Sequence, residues 1–157
     1  MPFHRLYYHL VWATEKREPV ITPEMEQELY AAICSKVKAL GGYVFALNGH
    51  EDHVHLAGSI PPKVSVSDFV GQVKGSSSFH INHLPGDRPR LQWQREYGVM
   101  SFRRTDVERI VEYIERQKEH HGPGGTVSRT LETCSEEEDE QAGEVREERV
   151  EYGDAWG

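Results

Sequence analysis

Cysteine is nearly missing from this chain. Its 157 residues hold two, Cys34 and Cys134, too few for a disulfide framework or a four-thiolate zinc site, so reduced thiols are expected. Long apolar runs are missing too. No stretch approaches the roughly 20 residues needed to cross a bilayer, and the opening MPFHRLYYHL has neither the basic segment nor the apolar run of a secretory leader. These absences predict a cytoplasmic protein with no membrane partner. No internal repeat is visible, which argues against a solenoid. Nor is there a surplus of positive charge: 18 basic side chains face 26 acidic ones, for a net charge of -8. A generally basic coat for nucleic acid is thereby excluded.

The acidic surplus is not spread evenly. Residues 122–157 hold 3 basic and 11 acidic side chains, leaving 15 of each, with all nine histidines, in the first 121. The folded part is therefore neutral and can still carry a local basic face. The tail opens with GPGG and is poor in apolar residues, so it reads as mostly disordered, with a helical segment near Glu144 to Val150. It serves either as a solubilising tail or as an acidic strand that competes with DNA for a binding face. The division is thus one domain over 1–121 and an acidic tail over 122–157.

Within the domain the pattern alternates between strands and helices. Phe3 to Ala13 is rich in aromatic and β-branched residues and suits a strand. Thr22 and Pro23 then open a helix whose apolar residues, Met25, Leu29, Ile33, Val37 and Leu40, recur at helical spacing until Gly41-Gly42. Tyr43 to Leu47 and Val54 to Ile60 read as a hairpin around the polar turn Gly49 to Asp52. Ser65 and Asp68 cap a second helix that is expected to fray at Gly75 to Ser78. A short strand near Tyr97 to Phe102 follows. Thr105 and Glu108 form the capping box of a third helix with Val107, Ile110, Val111 and Ile114 as its apolar stripe. The order β-α-β-β-α-β-α predicts an α+β fold of the ferredoxin-like (split βαβ) plan, an antiparallel sheet with helices packed on one face.

Two features carry chemistry. In Asp52-His53-Val54-His55-Leu56 the histidines alternate with apolar residues, so both rings point to one side of the strand and can share a divalent metal. A lone His-x-His pair is also common as surface or hydrogen-bonded residues. On the third helix, Tyr113 and Gln117 are four residues apart and stack at the edge of the apolar stripe, where either a reactive pair or an ordinary amphipathic pair would sit.

His53-Val54-His55 with Tyr113-Ile114-Glu115-Arg116-Gln117 resembles the single-tyrosine HUH transposases of the insertion-sequence 200/605 family, U being a bulky hydrophobic residue. The blocks YYHLVWATEKREPVIT, GHEDHVHL, SDFVGQVKGSSS and WQREYGVMSF resemble that family in order and spacing, from about Phe3 to His121. The resemblance implies that His53, His55 and Gln117 bind a divalent cation, Mg²⁺ or Mn²⁺. It implies that Tyr113 attacks a DNA phosphate and leaves a 5′-phosphotyrosine and a free 3′-hydroxyl. Single-stranded DNA with hairpin ends is the implied partner, and a homodimer with active sites shared between subunits the implied assembly.

Imidazole and amide ligands would also accept zinc. His50, Glu51 and Asp52 flank the pair, where an acid either orients a ligand imidazole or serves only as a turn residue. DNA contacts are expected from Lys74 and Ser76 with the adjoining serines, and from Arg88, Arg90, Arg95, Arg103 and Arg104. Trp12, Trp93 and Tyr97 are candidates for stacking on bases. The alternative to an active transposase is a domesticated hairpin-binding DNA protein without mobility. A histidine-triad hydrolase is disfavoured because position 57 is Ala57. Replication initiators and relaxases are commonly larger and differ in motif order.

Overall fold

The computed structural model describes residues 3–123, 125 and 132. Its elements follow the expected order: β1 (Tyr7–Ala13), α1 (Pro23–Ala39), β2 (Tyr43–His50), β3 (His53–Ser59), α2 (Val66–Asn82), β4 (Gly98–Phe102), α3 (Val107–Glu115) and a one-turn α4 (Gln117–His120). The four strands form one antiparallel sheet in the order β2-β3-β1-β4, the ferredoxin-like arrangement. Most of the tail lies outside the described residues, and so do Cys134 and the segment near Glu144 to Val150.

Local chemistry accounts for the helix starts. The Thr22 hydroxyl accepts from the Met25 amide with Pro23 in the first turn, and Ser65 accepts from the Asp68 amide. Two boundaries differ from expectation. Helix α2 does not fray at Gly75 to Ser78, because Ser77 and Ser78 donate back to the Lys74 carbonyl and Val73, Ser77 and Ile81 are buried. Thr105 and Glu108 do not form a capping box. Arg104–Asp106 makes a 3₁₀ turn instead, and Asp106 precedes α3 without a side-chain cap.

Alternation along the strands gives the sheet two apolar faces. Leu10 and Trp12 of β1 and Val54 and Leu56 of β3 pack with Leu29, Ile33 and Val37 of α1 and Phe69, Val70 and Val73 of α2. The other face carries Ala46 and Ala57, on which Ile110 and Ile114 of α3 pack. The helices are therefore divided: α1 and α2 cover one face, and α3 covers part of the other rather than joining them. The physical reason is the period of two, which turns His53, His55 and Ala57 away from Val54 and Leu56. Small side chains at 46 and 57 leave room for the two isoleucines. This second face holds the site.

Candidate active site

The hairpin β2–β3 presents the histidines. In its register Asn48 lies opposite His55 and His50 opposite His53. Gly49 permits the close approach, since a Cβ there would collide with the His53 carbonyl. His53 and His55 are both buried, with ring centroids 5.0 Å apart. Each ring is anchored through Nδ1, to Asp52 Oδ1 at 2.7 Å for His53 and to His9 Nε2 at 2.8 Å for His55. Their Nε2 atoms turn toward a common point.

Helix α3 ends earlier than the helical spacing suggested. The backbone breaks at Arg116 (φ -96, ψ 21) and restarts as α4, so Tyr113 and Gln117 do not share one continuous helix. Lys118 fixes the new direction by donating to Glu26 Oε1 at 2.6 Å, Asn48 Oδ1 at 3.2 Å and the Gly49 carbonyl at 3.2 Å. The break turns Gln117 inward: its side chain, 0% exposed, places Oε1 3.1 Å from His53 Nε2. The Gln117 Nε2 is buried without a hydrogen-bond partner, consistent with an amide oriented by what its oxygen meets. Tyr113 is half-buried, its ring centroid 6.0 Å from that of His55.

One carboxylate links these groups. Glu132 Oε2 lies 3.0 Å from His55 Nε2 and 3.2 Å from His53 Nε2. Its Oε1 accepts from the Tyr113 hydroxyl at 2.6 Å and lies 3.2 Å from His121 Nε2. Ligand atoms of His53, His55 and Glu132 all fall within 4.8 Å of one another, a group that could hold a metal ion. Two imidazoles, an amide oxygen and a carboxylate suit a divalent cation. The expected set of His53, His55, Gln117 and Tyr113 is brought together within one chain.

The electrostatics follow from the contacts. Burial would lower the His53 pKa, but hydrogen bonds to Asp52 and Glu132 and their charges raise it to about 9. Burial would raise Asp52 and Glu132; the partners of each win and hold both carboxyls down, His53 and Arg17 for Asp52, and His53, His55 and Tyr113 for Glu132. Burial dominates for His55 and pushes it down against the pull of Glu132. Burial and then the nearby His55 push His9 down to about 3. Burial likewise lowers His121.

Several of these residues were not singled out from the sequence. His9 could have been suspected as the polar residue in the apolar strand YYHLVWA. His120, whose ring stacks on Tyr113 at 4.3 Å, and His121, whose ring lies 4.6 Å from that of His53, follow Gln117 by three and four residues. Glu132 had no signal of its own, standing in the otherwise uncharged stretch TLETCS before the acidic run of the tail. Asp52 acts as the orienting acid rather than as a turn residue alone.

The expected DNA contacts are not gathered at one place. Lys74 is 9% exposed and donates to the carbonyls of Gln94, Arg95 and Glu96 at 2.5, 3.3 and 3.1 Å. Ser76 is half-buried and lines a depression with Glu28, Ala31 and Ser35 of α1. Both lie on α2, across the sheet from the histidines. Arg88, Arg90, Arg95, Arg103 and Arg104 are exposed; Arg88 donates to the Pro85 carbonyl at 2.8 Å and Arg103 lies 3.5 Å from Asp106. Trp12 is fully buried against Trp93 and is core rather than a stacking platform.

Comparison with known proteins agrees with this geometry. The family model described as "Transposase IS200 like" matches residues 2–117. The transposase for insertion sequence element IS200 of Salmonella typhimurium is 29% identical over 126 residues, 77% of this chain and 82% of its own length. The ISDra2 transposase TnpA of Deinococcus radiodurans is 28% identical over 119 residues, 73% of this chain and 85% of its own. Among solved structures, a candidate transposase from Deinococcus radiodurans aligns with a TM-score of 0.58 at 29% identity, over 74% of this chain and 93% of that one. A REP-associated tyrosine transposase bound to a REP hairpin has the same fold, with a TM-score of 0.57 at 18% identity over 83% and 78% of the two chains.

Proposed function

Since the chain belongs to the IS200-like transposases, we propose that it cleaves and rejoins single-stranded DNA at hairpin-bearing ends, with Tyr113 as nucleophile and a divalent metal on His53, His55 and Gln117. The observation that carries this reading is the placement of the Glu132 carboxylate. One of its oxygens meets both histidine Nε2 atoms while the other accepts a hydrogen bond from the Tyr113 hydroxyl. A carboxylate and a phosphodiester each offer two oxygens to their surroundings, so the ground between phenol and imidazoles suits a phosphate. Glu132 must leave it when DNA binds. That supports the reading of the acidic segment as a competitor for the DNA face.

A divalent cation such as Mg²⁺ or Mn²⁺, held by His53, His55 and Gln117, would withdraw charge from the phosphate and make phosphorus more electrophilic. The rest is done by side chains of this chain. Asp52 holds the His53 imidazole through Nδ1, so that its Nε2 atom faces the place the cation would take. Tyr113 Oη gives up its proton to solvent and attacks phosphorus; the P–Oη bond forms as the P–O3′ bond breaks, and the 3′-oxygen leaves and takes a proton from solvent. The product is a 5′-phosphotyrosine and a free 3′-hydroxyl. Because the phosphoester bond is exchanged rather than hydrolysed, the reverse reaction joins strands without ATP.

Tyr113 and the histidines lie within reach of one another in one subunit, which supports a site assembled within a single chain. Rejoining two ends requires two tyrosines, which supports a homodimer. The similarity to a transposase bound to a REP hairpin supports hairpin DNA as partner. Arg88, Arg90, Arg103 and Arg104 are exposed and can turn toward DNA phosphates. Lys74 would act through the loop it holds at Gln94 to Glu96, and Ser76 from the half-buried face of α2. Purified protein incubated with hairpin-bearing single strands and Mn²⁺ should yield a denaturant-resistant DNA adduct that Tyr113→Phe abolishes. Tight hairpin binding without adduct would instead identify a domesticated binding protein.

A further inference from the structure

His9 has no place in the reading above beyond its contact with His55, and burying an imidazole in a strand has to be repaid by a specific bond. It is 1% exposed. In the antiparallel register of β1 and β3, Val11 lies opposite His55 and His9 opposite Ala57, which sets His9 diagonally beside His55 on the same face. Ala57, with a single methyl group, leaves His9 room to lean on its neighbour. The rings are 5.0 Å apart at centroid with 30° between their planes, and His9 Nε2 lies 2.8 Å from His55 Nδ1.

We propose that His9 is a positioning residue for the cation: as a neutral acceptor at Nε2 it holds His55 in the tautomer and orientation that leave His55 Nε2 free to bind metal. This rests on the metal reading of His53, His55 and Gln117. The reasoning is one of hydrogen count. Two N–H groups cannot face each other at 2.8 Å, so one hydrogen lies between these rings. A neutral imidazole that ligates through Nε2 carries its hydrogen on Nδ1. That hydrogen is then donated to His9 Nε2, and His9 carries its own on Nδ1.

The two ligand histidines are thus held by different partners. His53 Nδ1 meets the Asp52 carboxylate, which is anionic and itself lies 3.8 Å from Arg17. His55 Nδ1 meets an uncharged ring. A carboxylate in place of His9 would add a further negative charge to a buried face that already holds Glu132 and Asp52. A neutral acceptor fixes the tautomer without it. Partners of this kind commonly change metal affinity 10- to 100-fold when lost.

The test uses the full chain and Mn²⁺ alone, with affinity read by electron paramagnetic resonance of free Mn²⁺ and by calorimetry. His9→Leu is expected to weaken Mn²⁺ binding by about 10- to 100-fold, and His9→Gln, which restores an acceptor, to recover most of that loss. Equal affinity for wild type and His9→Leu, or no recovery with His9→Gln, would overturn the proposal. Absence of any Mn²⁺ site in the wild type would overturn the metal reading itself, and the wild-type arm separates the two failures. Should His9→Leu fail to fold, the wild type still decides. Long-range proton–nitrogen spectra of its Zn²⁺-loaded form should show His55 protonated at Nδ1 and His9 bare at Nε2. Metallation of His55 through Nδ1, or a proton on His9 Nε2, refutes the assignment.

Discussion

The stability of the metal-free protein should peak near pH 6.5, and the size of the alkaline limb follows from His53. Its folded pKa is raised from 6.5 to about 9, so the stabilisation it contributes is complete below 6.5 and is lost as the pH climbs through about 9. At about 1.4 kcal/mol per pH unit, that gap corresponds to about 3 kcal/mol, a large share of the 5–15 kcal/mol of about any domain of this kind. Below 6.5 the sign reverses. His9 is pushed down to about 3, and His55 and His121 are also lowered. The unfolded chain then binds protons that the folded one refuses, and stability falls as the solution is acidified. Urea unfolding in the presence of a chelator, followed from pH 5 to 9, measures both limbs. Asp52→Asn removes the charge beside His53 while keeping an acceptor oxygen, and should flatten the alkaline limb. A wild-type profile that is level or rising between pH 6.5 and 9, or an alkaline limb unchanged in Asp52→Asn, would show that Asp52 and Glu132 do not hold a proton on His53.

Lys74→Met should cost about 1–3 kcal/mol in denaturant unfolding, because the carbonyls of Gln94, Arg95 and Glu96 lose their shared donor. The salt dependence of hairpin binding, measured by fluorescence anisotropy, should be unchanged; unaltered stability with a slope reduced by about one would make Lys74 a phosphate contact instead. Lys16 lies in the left-handed region at φ 55, so Lys16→Gly should stabilise the chain by about 1 kcal/mol, and a lower melting temperature would contradict that.

What local rules govern was legible in the sequence. Thr22-Pro23 and Ser65 cap helices because a hydroxyl beside free amides needs no tertiary partner. The alternation His53-Val54-His55-Leu56 sends the imidazoles to the face opposite the leucine, since a strand has no other choice. Tyr113 and Gln117 were visible as a pair through the motif they share with a known family. The capping box at Thr105 failed because the backbone tightens into a 3₁₀ turn before α3, and fraying at Gly75 failed because buried Val73, Ser77 and Ile81 outweigh the propensities of glycine and serine.

The amino-acid order by itself marked His53, His55, Gln117 and Tyr113 as candidates, and it set both histidines to face one way. Only the tertiary structure decided that α3 covers the second face of the sheet, since an apolar stripe states that a helix is buried but not against which surface. It also decided that the helix breaks at Arg116, because Lys118 reaches Glu26, Asn48 and Gly49, partners dozens of residues away. His9 and Glu132 join the site for the same reason: the contacts that give them a role, across 46 and 77 residues to His55, arise from strand pairing and chain closure. No local pattern in the chain encodes them.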